Sequence, residues 1–144
     1  MKLTLVGSVS AADKFVEVYN ELRKLGHDPV IHEHMFEYSK TSWDEFHKKD
    51  ELREHAQTKV ENDYIRWWHN SITNSDGIVV LNFDKKGKEN YIGGNTLMEI
   101  GFAYVADKSI FLMNPIPKEV PYTDEIEAMI KAENILHGDL TIIP

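Results

Sequence analysis

A doubly wound α/β domain, with one sheet of about four or five mainly parallel strands and helices on both faces, is the fold class this sequence predicts. Three observations lead to it. Short apolar runs alternate with stretches of helical periodicity along the chain. The runs Ile78 to Leu81 and Ile110 to Met113 lack the period-two alternation of a half-exposed strand, as strands buried on both faces do. Parallel neighbours need a crossover, normally a helix, and the stretches between the runs supply it.

Each element has its own signal. "KLTLVG" is an apolar run closed by glycine, and "SAADKFVEVYNELRKLGH" follows with Phe15, Val16, Tyr19, Leu22 and Leu25 at helical spacing and Gly26 as the stop. "DPVIH" reads as a second short strand. From about Glu33 to Asn74 the chain turns polar, and within it "TSWDEFHKK" and "LREHAQTKVENDYIRWWHNSITNS" read as helices, the second with Leu52, Ala56, Val60, Tyr64 and Trp67 on one stripe. "DGIVVLNF" is the most strand-like run, "NTLMEIGFAYVADK" a helix, "SIFLMN" a strand and "YTDEIEAMIKA" a helix, and "NILHGDLTII" ends the chain as one or two short extended pieces. No repeat or linker interrupts the series, so residues 1–144 are expected to form one flavodoxin- or Rossmann-like domain.

Composition narrows the function. A chain of 144 residues with 42% hydrophobic content suits a single core. The net charge of -8 disfavours nucleic-acid polymers and anionic membranes as partners, since phosphate surfaces select clustered Lys and Arg. Without cysteine there is no disulfide, thiolate metal site or thiol nucleophile. The opening "MKLTLVGSVS" is too short an apolar run for a signal peptide, and no run approaches the roughly 18 apolar residues of a membrane span. A cytoplasmic protein is expected.

In sheets of this kind ligands bind beyond the carboxyl ends of the strands. After strand one, "GSVS" sets Gly7, Ser8 and Ser10 between strand and helix, where backbone N–H groups and the helix end can hold a phosphate or carboxylate; the plainer reading is a glycine turn with Ser10 as helix N-cap. After strand two, "HEH" at His32 to His34, with His47 and His55, has imidazoles but no third ligand at a diagnostic spacing, so no metal is expected. Asn82 and Asp84 follow strand three, and Asn114 follows strand four. Trp67 and Trp68 are helical neighbours about 100° apart, so one of them is expected to face a partner subunit or a ligand, and a homodimer follows from this surplus of aromatic surface.

Glu99 has two readings. "TLME" from Thr96 matches a capping box, in which the glutamate folds back onto the helix start. The loop before it is unusual, however: Gly93 and Gly94 let the backbone pass close to a ligand, Asn95 and Thr96 follow as orienting groups, and Gly101 and Ala103 let the helix press on the sheet. A carboxylate at a helix N-terminus is expected to stay ionised, as attack on a sugar C1 requires.

The segment "DGIVVLNFD" followed by "GGNTLMEIGFAYVADKSIFLMN" resembles the nucleoside 2-deoxyribosyltransferase superfamily, whose pattern there is a strand ending in Leu-Asp, a Gly/Thr-rich loop and Glu-x-Gly-x-Ala on a helix. The likeness covers roughly residues 76–114, and "KLTLVGSVS" more loosely. It implies the doubly wound fold and, for Glu99, the role of a nucleophile that forms a glycosyl-enzyme resolved by a second base or by water. It also implies sites near subunit contacts, with no cofactor. The family carries aspartates that act on the base where this chain has Asn82 and Gly93, and Asp84, two residues beyond Asn82, is the residue expected to take over contact with, or protonation of, the base. The "GSVS" turn is similar to the branch that hydrolyses deoxynucleoside 5'-monophosphates, and there the resemblance sets Ser8 at the phosphate. Two other readings stand beside this one: a nucleotide-binding or sensory domain without catalysis, and a structural domain in which Glu99 is only a cap.

Overall fold

The computed structural model describes residues 1–40 and 54–144 of the chain, with side chains described outside 41–62. The expected helix over "TSWDEFHKK", together with His47 and Leu52, lies outside the described residues. In chain order the elements are β1 (Lys2–Gly7), α1 (Ala12–Lys24), β2 (Asp28–Val30), α2 (His34–Tyr38), α3 (Glu54–Thr73), β3 (Gly77–Leu81), α4 (Gly94–Val105), β4 (Ser109–Leu112) and α5 (Thr123–Met129). The single turn of α2 falls where the sequence reads as loop.

The four strands are all parallel, in the order β2-β1-β3-β4. The fold is therefore the doubly wound α/β class that the alternation predicts. The chain runs outward from β1 to β2, then crosses back through α3 to β3 on the other side of β1. Right-handed crossovers then set α1 on one face and α3 with α4 on the other. His69 of α3 and Phe102 of α4 meet edge to face, with ring centroids 5.0 Å apart. The direction of winding reverses between β1 and β3, and their carboxyl ends open the crevice where ligands of such sheets lie. A further strand is reduced to one parallel bridge of Ile135 with Leu112, supported by Leu136 N–H to the Leu112 carbonyl at 2.8 Å.

Burial follows the strands. Every residue of β3 is buried, as are Leu3 to Val6 of β1. A Cβ on Gly77 would lie 2.6 Å from the carbonyl oxygen of Ser109, so β3 enters the sheet beside β4 only with glycine there. Thr4 is buried and polar, and its hydroxyl is 2.7 Å from that of Ser75. Ser75 spends its one proton on the Ser71 carbonyl at 2.8 Å, so Thr4 is the donor between the two.

Helix α1 ends as the sequence reads. Gly26 has φ +87°, and the bonds from His27 N–H to the Leu22 carbonyl and from Gly26 N–H to the Arg23 carbonyl close a Schellman motif. Its buried stripe is Ala12, Phe15, Val18 and Leu22, whereas the expected Leu25 is the C-cap and 38% exposed. The expected N-cap is also different. A 3-10 turn over Val9–Ala11 precedes the helix, Ala11 takes the cap position, and Ser10 turns its hydroxyl to Ser8 instead. Among the described side chains of α3, Trp68 and Ile72 are buried and Tyr64 and Trp67 of the expected stripe pack partly covered beside them, while the side chains of Leu52, Ala56 and Val60 lie outside the described residues.

Candidate functional site

The loop after β3 is tied down at both ends. Asn82 is 1% exposed, and its Nδ2 donates to the carbonyls of Asn114 and Pro115 at 2.9 and 3.0 Å while its Oδ1 accepts from Asn114 N–H at 2.9 Å. Asn114 returns the contact from its own Nδ2 to the Asn82 carbonyl at 3.0 Å. These two residues, both read from sequence as ligand contacts, form a clamp joining the carboxyl ends of β3 and β4. Asp84 is exposed, and its Oδ1 accepts from Asn90 N–H at 2.9 Å, which closes the loop on itself.

Inside that closure Lys85 and Lys88 exchange backbone hydrogen bonds at 3.0 Å each way, around Lys86 and Gly87 at φ +52° and +74°. Positive φ at both central residues is the type I′ arrangement that suits a tight hairpin. The hairpin swings Lys85 across the crevice to β1, where its Nζ donates to Ser8 Oγ at 2.9 Å, and Ser8 Oγ is 2.8 Å from Ser10 Oγ. Gly7 lets the end of β1 lie close against β3: its φ is +156°, and a Cβ there would lie 3.1 Å from the Leu81 carbonyl oxygen. Tyr91 holds the other side of the lysines, its ring centroid 5.7 Å from Lys85 Nζ and 5.8 Å from Lys88 Nζ. Burial and the neighbouring Lys86 charge push the Lys85 ammonium below its ordinary pKa.

Helix α4 starts earlier than the capping-box reading requires. Its N-cap is Gly93, and Leu97 N–H donates to the Gly93 carbonyl at 2.9 Å. Thr96 is thus already the third helical residue, and Glu99 lies in the second turn, out of reach of the N-cap. The expectation of a capping box fails because the glycine pair itself carries the helix start. The expectation of an ionised Glu99 fails with it. The side chain is 7% exposed, its Oε2 has no hydrogen-bond partner among the described residues, and desolvation raises its pKa to about 8. Any help from the helix dipole is smaller than the loss of water.

The glycines around Glu99 differ in use. A Cβ on Gly94 would meet nothing within 4 Å, so the helix start borders open space, whereas one on Gly93 would touch the Tyr91 ring at 3.4 Å. Gly101 also faces open space, contrary to the expected tight packing, and only Ala103 is pressed into the core. Asn95 is exposed and Thr96 buried. Tyr122 reaches from the start of α5 to donate its hydroxyl to the Ile92 carbonyl, and burial together with Tyr91 raises its pKa.

A second cluster lies beyond β2. His32 stacks edge to face on His34, Tyr64 and Trp67 at centroid distances of 4.5, 4.6 and 4.7 Å, and His34 Nδ1 meets the Tyr64 hydroxyl. Among the described residues no group of His, Asp and Glu is placed to hold a metal. Trp68 is buried, and Trp67 is partly covered by Trp68 and His32.

The structure therefore brings Gly7, Ser8 and Ser10 together with the loop after β3, and sets Gly93 beside Tyr91 at the start of α4. It withdraws Asn82 and Asn114 into a clamp and leaves Asp84 at the rim. Lys85, Tyr91 and Tyr122 were missed by sequence reasoning. The "DKKGKE" run, three lysines around a glycine, was the available signal for the first. Two open surface concavities lie away from the crevice, one of about 250 Å³ bordered by Lys2 and Trp67 and one of about 540 Å³ bordered by Tyr104 and Met129. Among the described residues no helix is long and apolar enough to cross a membrane. No family model matches the chain, nor does any curated protein or solved structure.

Proposed function

We propose that this domain binds a nucleoside or its 5'-monophosphate in the crevice between β1 and β3 and cleaves or exchanges the N-glycosidic bond through Glu99. The observation that carries the reading is the Glu99 carboxyl, buried with one oxygen unpartnered on a helix whose start borders open space. A buried carboxyl oxygen left without a hydrogen-bond partner costs stability, so its presence favours a chemical use. In the proposed step Glu99 gives up its proton and attacks C1 of the sugar. The base departs with the electron pair of the broken bond and takes up a proton, and water or a second base then attacks C1 and restores the carboxylate. Asp84, exposed at the rim two residues beyond Asn82, is the group proposed to contact or protonate the departing base. The reading also carries the homodimer expected from the Trp pair, for which a solution mass near 16.7 kDa would be the contrary result.

The test is incubation of the protein with a pool of nucleosides and 5'-monophosphates, followed by chromatography for free base. Release that is lost in Glu99→Gln supports the reading. Binding without release favours a second reading, a nucleotide-binding domain without catalysis, for which the committed carboxamide of Asn82 speaks: it occupies a position where the resembling family keeps an aspartate for the base.

A further inference from the structure

We infer that Lys85 is the residue that selects a phosphorylated over an unphosphorylated ligand at this site, acting with the Ser8 and Ser10 hydroxyls as a phosphoryl-binding corner. The inference rests on the proposed nucleoside or nucleotide crevice but not on catalysis within it.

Four observations support the assignment. The ammonium of Lys85 is carried 77 positions along the chain to donate to Ser8 Oγ at 2.9 Å, and Ser10 Oγ lies a further 2.8 Å on, so one cation and two hydroxyls converge on the turn after β1. The arm that delivers it is built: a type I′ hairpin, closed by the Asp84 to Asn90 bond, with the Tyr91 ring beside the ammonium. Among the described residues no carboxylate forms an ion pair with Lys85, although the chain carries 24 acidic side chains against 16 Lys and Arg. The ammonium also loses water at this position, and a dianion beside it would offset that loss, so Lys85 is better suited to a phosphate than to a neutral hydroxyl.

Serine hydroxyls donate to a phosphate and to a sugar hydroxyl alike, so the two serines by themselves discriminate poorly. A lysine gains most from the charged ligand and little from the neutral one. Its hairpin also carries Lys86 and Lys88, against Asp84 and Glu89, so the arm as a whole is net positive.

The experiment compares binding of inorganic phosphate, deoxynucleosides and the matching 5'-monophosphates by calorimetry or NMR titration, for wild type, Lys85→Gln, Lys85→Arg and the remote surface control Lys24→Gln. Lys85→Gln is expected to weaken the monophosphates by about ten- to hundredfold, the range of a lost charge-assisted contact, while nucleoside affinity stays within about twofold. Lys85→Arg should restore most of the preference, and Lys24→Gln should leave it intact. Inorganic phosphate competing with the monophosphates but not with the nucleosides would identify the phosphoryl group as the part recognised. Equal losses for both ligand classes, an equal effect of Lys24→Gln, or failure of the wild type to bind any monophosphate would overturn the inference. Monophosphate binding with no base release would defeat the catalytic proposal and leave this one standing.

Discussion

Asn82 and Asn114 are bound to each other reciprocally, each carboxamide donating to the other's main-chain carbonyl, at 2.9 and 3.0 Å. The clamp crosses the ends of β3 and β4 where the strand ladder has stopped, and it fixes where the loop carrying Lys85 begins.

The first prediction tests that clamp. Asn82→Asp would place a carboxylate oxygen against the carbonyls of Asn114 and Pro115. Two donors vanish and like partial charges meet in a buried site, so a loss of about 2 to 4 kcal/mol is expected. Urea unfolding at neutral pH measures it. A loss below about 0.5 kcal/mol would mean that the loop ends hold without the clamp.

A second prediction runs towards greater stability. Helix α4 ends in a Schellman motif, with Lys108 N–H donating to the Ala103 carbonyl at 2.9 Å and Asp107 N–H to the Tyr104 carbonyl at 3.1 Å, and Asp107 holds φ +57°. A side chain in the left-handed region is strained, and an acid at a helix carboxyl end opposes the dipole. Asp107→Gly removes both costs and is expected to add about 1 kcal/mol, read as a rise of a few degrees in Tm. An unchanged or lower Tm would count against the argument.

How far the sequence could be read depends on whether the deciding force is local. The strands Ile78 to Leu81 and Ile110 to Leu112 were legible because burial on both faces leaves an uninterrupted apolar run. Both were read a little too long, since Asn82 and Asn114 continue the chain direction but give their hydrogen bonds to each other. The start of α4 is hidden in the sequence because "TLME" matches a cap while the glycine pair ahead of it reads as loop. The protonation of Glu99 is not legible in the sequence, where helix position is visible and depth of burial is not. The contact of Lys85 with Ser8 joins residues 77 apart, and no local pattern encodes it.

The third prediction concerns stability against pH. Glu99 titrates at about 8 in the fold, against an ordinary value of 4.5. Below about pH 4.5 the carboxyl is protonated folded or unfolded, and Glu99 adds no pH dependence. Between about 4.5 and 8 the unfolded chain releases its proton while the folded one keeps it, so stability falls with rising pH and levels off above about 8. The effect is on the order of several kcal/mol. Glu99→Gln, with no proton to lose, should become more stable relative to wild type as pH rises across this window. Parallel stability curves for the two proteins from pH 5 to 8 would contradict the burial argument.

The last prediction ties the same titration to catalysis. For attack on C1 the carboxyl of Glu99 must be ionised, and kcat/KM reports the ionisation of the free protein. Base release is therefore expected to rise about tenfold per pH unit below about 8 and to level off above it, opposite in direction to the stability curve. Glu99→Gln should keep the fold and lose release by several orders of magnitude, far more than a stability change alone would give. The two effects of this one substitution then separate: at pH 8 the variant melts above wild type and turns over almost nothing. The decisive measurement is the pH profile of kcat/KM from 5 to 9.5 for wild type, beside melting temperatures for both proteins. A profile that falls above about 8 would give Glu99 the part of an acid that protonates the base, and undiminished release by Glu99→Gln would remove Glu99 from the chemistry altogether.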